Sequence, residues 1–311
     1  MKFNNAVIQS TGAFLVGELE RLDPELYAPI SDFTWSRDID LRQDVTIADE
    51  VSSFILSNYA GGFGGTGAGK KSWISGMSTT PAQVGVSQTK VTSPITPWGM
   101  EVAYSIIELE KAMKTGRPID VQKYDAMRTK HQLDIDQMVY VGDAEVGVTG
   151  LLNNASVTSA NVGAITSSTP VATILSIFNT VLENAWAATN YTRIPDRILV
   201  PPALFTILVG TQLTNTDKNL LNFILENSLT RANGKFLEIW PCKYLGDSNY
   251  FATPKMVAYT KARDVVRFPL VQLQSLPVQF RDYQQVVPYY GALGAVEFVR
   301  PEMVYYGVLA S

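Results

Sequence analysis

The chain has 311 residues, 46% of them hydrophobic and 17% charged, with a formal charge of −4. That length supports a substantial core or two domains sharing one, and the apolar excess points to a self-associating surface or a roomy core. With no block of basic residues, the acidic balance argues against tight duplex binding, which needs Lys and Arg clustered on one face.

No apolar run approaches the roughly 20 residues of a membrane helix. Met1-Lys2-Phe3-Asn4-Asn5 lacks the apolar core of a secretory signal. Cys242 is the sole cysteine, so no intrachain disulfide can form. A reducing cytoplasm, or a particle assembled there, is the expected setting.

Residues 1–47 read as an irregular N-terminal arm interrupted by Asp23-Pro24 and Ala28-Pro29. Phe33, Trp35 and Ile39 are its candidate anchors on a neighbouring surface. Asp38 and Asp40 alternate with Ile39 and are expected to be solvated charges, since a metal site wants more ligands.

Residues 48–104 form a hairpin region. Phe54 to Tyr59 and Ser72 to Ser78 are strand-like limbs around the glycine-rich tip Gly61 to Lys71. The tip nearly matches a nucleotide-phosphate loop between Gly64 and Lys70. Lys71, however, stands where that loop needs a hydroxyl for magnesium, and the following residues carry no helical stripe. A flexible arm reaching another subunit fits better, with Phe63, Lys70, Lys71, Trp73 and Ile74 as inter-subunit contact candidates. The alternative of a different class is an enzyme binding nucleotide through Gly64–Lys70. In the return limb, Pro94 and Pro97 mark edges or bends, because proline cannot donate to a sheet ladder.

Ser105 to Lys114 is a short helix candidate closed by Thr115-Gly116-Arg117-Pro118. Pro118 then starts a helix over about 119–141, ended by Gly142; proline suits the first turn. Its length is about 35 Å at 1.5 Å per residue. Tyr124, Met127, His131, Ile135 and Met138 make one apolar stripe, and Ala126, Leu133 and Tyr140 a second row roughly opposite.

A linker rich in Ser, Thr and Ala leads to Pro170, which opens a helix to about Ala188. Arg197–Val200 reads as a buried strand, followed by short helices after Pro201-Pro202 and over about 218–229. The remainder is β-rich, with strands expected at 256–259, 265–268, 271–276, 278–280 and 296–299. The fold class is α+β.

The chain's catalytic inventory is poor. His131 is the sole histidine and falls on the apolar stripe, where a packing role is expected. Cys242 reads as a buried small hydrophobe, although Lys243 beside it could lower its pKa. Asp134 and Asp136 point to different helix faces and cannot share acid–base work. No catalytic, cofactor or metal residue is assigned.

Three stretches carry a family resemblance: the glycine-tipped hairpin ahead of the long helix, Gly142 with Gly150-Leu151-Leu152-Asn153, and Gly294 to Val308 with its Arg300-Pro301 pair. In this order they resemble the tailed-bacteriophage major capsid protein, whose fold is shared with encapsulin nanocompartments. The resemblance implies an N-terminal arm (1–47), an extended hairpin loop (48–104), a peripheral domain with a spine helix (105–154), an axial domain (155–285) and a C-terminal return to the peripheral domain (286–311).

It further implies a structural virion protein that self-assembles into hexamers and pentamers of an icosahedral shell in the host bacterial cytoplasm. The chain departs from members that carry a scaffolding segment before the arm, so a separate scaffold chain, or none, is expected. Portal and decoration proteins are the other implied partners, packaged DNA is touched at most non-specifically, and no membrane is involved. An encapsulin-type compartment is the alternative within the fold.

Overall fold

A computed structural model of the chain describes residues 32–61, 84–115, 119–213 and 217–309. The hairpin tip, with Phe63, Lys70, Lys71, Trp73 and Ile74, lies outside the described residues, as do residues 1–31.

In chain order, helix α1 (Trp35–Asp38) and strand β1 (Asp40–Arg42) precede the hairpin strands β2 (Val51–Gly61) and β3 (Val84–Ser105). Helices α2 (Ile106–Thr115) and α3 (Ile119–Tyr140) follow, then the short pair β4 (Gly142–Asp143) and β5 (Val148–Thr149), and β6 (Thr158–Asn161). Next come α4 (Val171–Ala188), β7 (Arg197–Val200), α5 (Pro202–Gly210), α6 (Leu220–Asn227), α7 (Leu229–Ala232), β8 (Glu238–Pro241) and β9 (Lys255–Tyr259). Strands β10 (Val266–Ser275), β11 (Gln279–Arg281), β12 (Gln284–Gly294), β13 (Glu297–Phe298) and β14 (Val304–Val308) complete the fold.

Two sheets organise these elements. One runs β1-β10-β12-β3-β2, with β11 and β13 attached to β12 and β10. In this sheet β3 changes partner midway: Val84 to Pro94 pair with β2, and Ile95 to Ser105 pair with β12. Pro94 sits at the changeover, and the Ile95 N–H donates to Glu50 O at 3.0 Å. The first half of β3 therefore leaves the sheet with β2 as a two-stranded ribbon.

The second sheet runs β6-β14-β9-β7-β8. Ile174, Phe178, Val181, Leu182 and Ala185 of α4 are buried in a cluster with Ile198, Met256, Ala258 and Tyr305 of that sheet. Because β12 belongs to the first sheet and β14 to the second, residues 286–309 are divided between two sheets. Two sequence-expected strands, 265–268 and 271–276, are one strand, β10, which crosses Pro269 and shifts register between Val271 and Gln274.

The long helix α3 ends where Gly142 adopts φ +78°, a left-handed conformation that side chains rarely take. The turn after it closes the helix end. Leu151 N–H donates to Val139 O at 2.7 Å and Leu152 N–H to Tyr140 O at 3.0 Å. Asn153 Nδ2 donates to Val141 O at 2.7 Å, while its Oδ1 accepts from Gly150 N–H at 2.7 Å. Carbonyls that a helix C-terminus leaves open are thus satisfied by the Gly-Leu-Leu-Asn turn. Both leucines are fully buried.

Of the expected stripe on α3, Met127, His131, Ile135 and Met138 are buried but Tyr124 is not. In the second row Tyr140 is buried, Leu133 half-buried and Ala126 exposed, so two-sided packing is confined to the C-terminal part of the helix. Its N-terminal half has solvent where a second packing partner would stand.

Candidate functional site

Residues 33–42 are stitched to the body by two buried carboxylates on either side of the joint. Asp136 Oδ1 accepts the N–H groups of Thr34 (2.9 Å) and Trp35 (3.1 Å), and its Oδ2 accepts from Tyr244 and pairs with Lys243 at 2.6 Å. Asp38 pairs with Arg37 at 2.8 Å and Arg197 at 3.3 Å, and takes the Tyr140 hydroxyl. Its expected solvation is therefore corrected: Asp38 is wholly buried, because two guanidinium groups and a phenol replace water around it. Desolvation, then the Asp38 charge, holds the Tyr140 hydroxyl in its neutral donor form.

This stitching settles what Trp35 and Ile39 touch. Trp35 is 8% exposed, its Nε1 donates to Gln132 at 2.9 Å, and Ile39 is buried in the same core. Both anchor the segment to its own chain, so the assignment of Trp35 to a neighbour is corrected. Phe33, at 41% exposure, keeps a free apolar face.

The ribbon has its own anchorage. Glu297, buried on β13, pairs with Arg267 of β10 at 2.6 Å and Arg42 of β1 at 3.2 Å, and accepts the Ser52 hydroxyl from the first turn of the ribbon. The ribbon carries apolar side chains into solvent, Val51 at its base and Ile55 and Val86 beyond the clamp. Trp98, in the half of β3 paired with β12, ties that strand to α3: its Nε1 donates to Asp134 Oδ2 at 3.0 Å and its ring meets the His131 ring edge-on at 4.6 Å.

A second exposed apolar zone was not foreseen. The β11–β12 hairpin presents Phe280 and Tyr283 at 78% and 80% exposure, and the Tyr283 carbonyl accepts from Ile106 N–H at the start of α2. Ile107 and Met113 of α2 are also exposed. The available signal was Phe280 and Tyr283 set among Gln279, Arg281, Asp282 and Gln284, aromatics in a polar turn with no apolar stripe to bury them.

Burial pushes the Cys242 thiol up to about 12, and Lys243 does not oppose it because its ammonium is held by Asp136. Burial lowers Lys255 to about 8; its ammonium donates to Leu152 O and lies 3.9 Å from the centre of the Phe251 ring. Asp134 and Asp136 serve different partners on different faces. Among the described residues no three or more His, Cys, Asp or Glu side chains gather as a metal site, and no described helix is long and apolar enough to cross a membrane. The arrangement can bind surfaces through exposed apolar elements on rigid anchors.

Comparison with known proteins gives the same direction. A family model described as major capsid protein matches residues 69–307. No curated protein matches the chain. Among solved structures, the capsid of Myoviridae phage XM1 superposes with a TM-score of 0.79 at 16% identity, covering 96% of this chain and 99% of that one. The capsid of the native GTA particle gives 0.64 at 10% identity over 100% of both chains. The virus-like particle from Pyrococcus furiosus gives 0.50 at 12% identity, over 88% of this chain and 91% of that one. At these identities the structural matches speak to the fold.

Proposed function

The chain belongs to the major capsid protein family, and on that premise we propose that it builds the icosahedral shell of a tailed double-stranded DNA phage from hexamers and pentamers of itself. The observation that carries this is the ribbon of β2 and the first half of β3, clamped at its base by Glu297 yet exposing Val51, Ile55 and Val86. Apolar side chains held out on a rigid two-stranded ribbon cover no core of their own, and a neighbouring copy is the surface that gains by burying them.

In this reading residues 1–47 are the N-terminal arm, 48–104 the extended hairpin loop and 105–154 the peripheral domain with α3 as its spine. Residues 155–285 are the axial domain, with the C-terminal stretch shared between the two. Phe33, Phe63, Trp73 and Ile74 bury on neighbours, while Lys70 and Lys71 pair with acidic side chains across the joint. Many modest contacts per subunit then sum by avidity.

The role is structural, without catalysis or cofactor. Assembly takes place in the host bacterial cytoplasm, portal and decoration proteins are its candidate partners, and packaged DNA is met by a wall of net negative charge that does not grip it. A cargo-holding compartment shares the fold, and a nucleotide enzyme at Gly64–Lys70 would have to work without a magnesium-binding hydroxyl at Lys71. Electron micrographs and light scattering of the purified chain, with scaffold supplied, test the reading: closed shells or rings of five and six are expected. A stable monomer at all concentrations and salts would overturn it.

A further inference from the structure

Strand β2 lies at the margin of the first sheet, with β3 as its one strand partner among the described residues. The hydrogen bonds at its base fix which way its backbone points. Ile95 N–H donates to Glu50 O at 3.0 Å, so residue 50 and every second residue after it turn their N–H and C=O toward β3. The intervening residues turn theirs away from β3, and from that side Arg42 reaches Ser53 O at 3.2 Å. Beyond Ser53, the outward N–H and C=O groups of Ile55, Ser57 and Tyr59 have no partner among the described residues.

A free strand margin templates pairing with another strand, and folded proteins blunt it with charge, proline, bulges or shortness. The other margins of this chain are blunted in those ways. β3 carries Lys90 and Pro94 in its first half and Pro97 and Glu101 in its second, and β10 is bulged between Val271 and Gln274. β1 and β11 have three residues each, and β6 and β8 four each. Among the described margins β2 alone is long and bare: eleven residues in unbroken register with β3, without a charge or a proline.

We propose that β2 pairs edge to edge with β2 of a second copy of this chain, antiparallel about a two-fold axis, so that two ribbons become one four-stranded sheet. Outward N–H and C=O groups at every second residue match the spacing of another strand edge. The chain's other margins are blunted, so the bare edge that can meet β2 is its own counterpart. A two-fold makes identical strands antiparallel and closes after one pairing, which keeps a bare edge from growing into a fibre. In the order β3-β2-β2-β3 the two copies of Lys90 stand at least about 14 Å apart, beyond the Debye length of about 8 Å at physiological salt. The proposal rests on the assembly reading above and names the surface through which the ribbon holds its neighbour.

The test places single cysteines in turn at each position from Ser53 to Asn58 of the full chain and oxidises the assembled particles with copper phenanthroline. Cys242 is buried, and wild-type particles serve as the blank. Antiparallel self-pairing is expected to give disulfide-linked dimers that peak at one position, where the strand meets itself across the axis, and fall away on both sides. Ser57→Pro removes one outward donor without touching the β2–β3 ladder, because the Ser57 N–H faces away from β3. It is expected to leave the melting of the unassembled subunit unchanged and to raise the concentration needed for assembly about tenfold. Particles in which no position couples, or in which all positions couple alike, overturn the pairing, as does normal assembly of the proline variant. Wild-type protein that forms no particles at all would instead overturn the shell reading on which it rests.

Discussion

Ser52 and Glu297 are 245 positions apart, yet the Ser52 hydroxyl donates directly to the buried Glu297 carboxylate. Through it the first residues of the ribbon are tied to β13, and through Arg42 and Arg267 to β1 and β10. Glu297→Ala removes the carboxylate paired with Arg267 and leaves Arg42 with Asp44 as its ion-pair partner, and breaking a buried pair from one side costs up to about 3–5 kcal/mol. The isolated subunit should melt well below wild type in a thermal scan. An unchanged melting temperature would show that the clamp is dispensable.

Ile55 lies beyond the clamp and is largely exposed. Ile55→Asp should therefore leave the unassembled subunit's stability within about ±0.5 kcal/mol, as for surface substitutions generally. Assembly should fail or slow severely, because the new charge would be buried against a neighbour. Sedimentation of wild-type and variant protein side by side decides it: full-sized particles from the variant mean that the ribbon face stays in solvent.

The helices of the body were legible because their ends are marked chemically. Pro118 and Gly142 bracket α3, and Pro170 and Pro201 stand just ahead of α4 and α5. Strand β12 went unread because Pro288, Gly291 and Gly294 look like breakers. Gly294 is there for close approach: a Cβ would meet Pro269 side-chain atoms at 2.8 Å. Pro269 likewise split β10 into two expected strands, although a parallel partner, Arg42, sits opposite it. As for the site, Trp35 was misassigned because nothing local says that Gln132 and Asp136, a hundred residues on, will hold it.

Gly150 offers a sharper test of the turn that closes α3. A Cβ there would lie 2.4 Å from the Tyr140 carbonyl, its three nearest atoms all backbone of the Tyr140–Val141 peptide. Gly150→Ala must push the turn off the helix end, and forced overpacking typically costs about 1–3 kcal/mol. Gly210, at the end of α5, has open space where its Cβ would be and no positive φ. Gly210→Ala should therefore be neutral or slightly stabilising. Chemical denaturation of the two variants should separate them clearly, and equal midpoints would deny the turn its capping role.

His131 gives the subunit a pH dependence whose sign follows from its burial. Desolvation lowers its pKa below the ordinary 6.5, opposed in part by the Asp134 charge. Between that lowered value and 6.5 the unfolded chain binds more protons than the folded one, so stability falls as pH falls through the window. Above 6.5 the residue adds no slope, and below the lowered value the loss is complete. The slope within the window is at most about 1.4 kcal/mol per pH unit. His131→Gln cannot take up that proton, so its stability should be flatter from pH 6.5 downward, while at pH 8 the two proteins should differ only by the repacking of a neutral ring against Trp98. Urea midpoints of unassembled subunits across pH 5–8 measure this. Parallel curves for the two proteins would mean that His131 titrates as freely folded as unfolded, and that its ring is open to water.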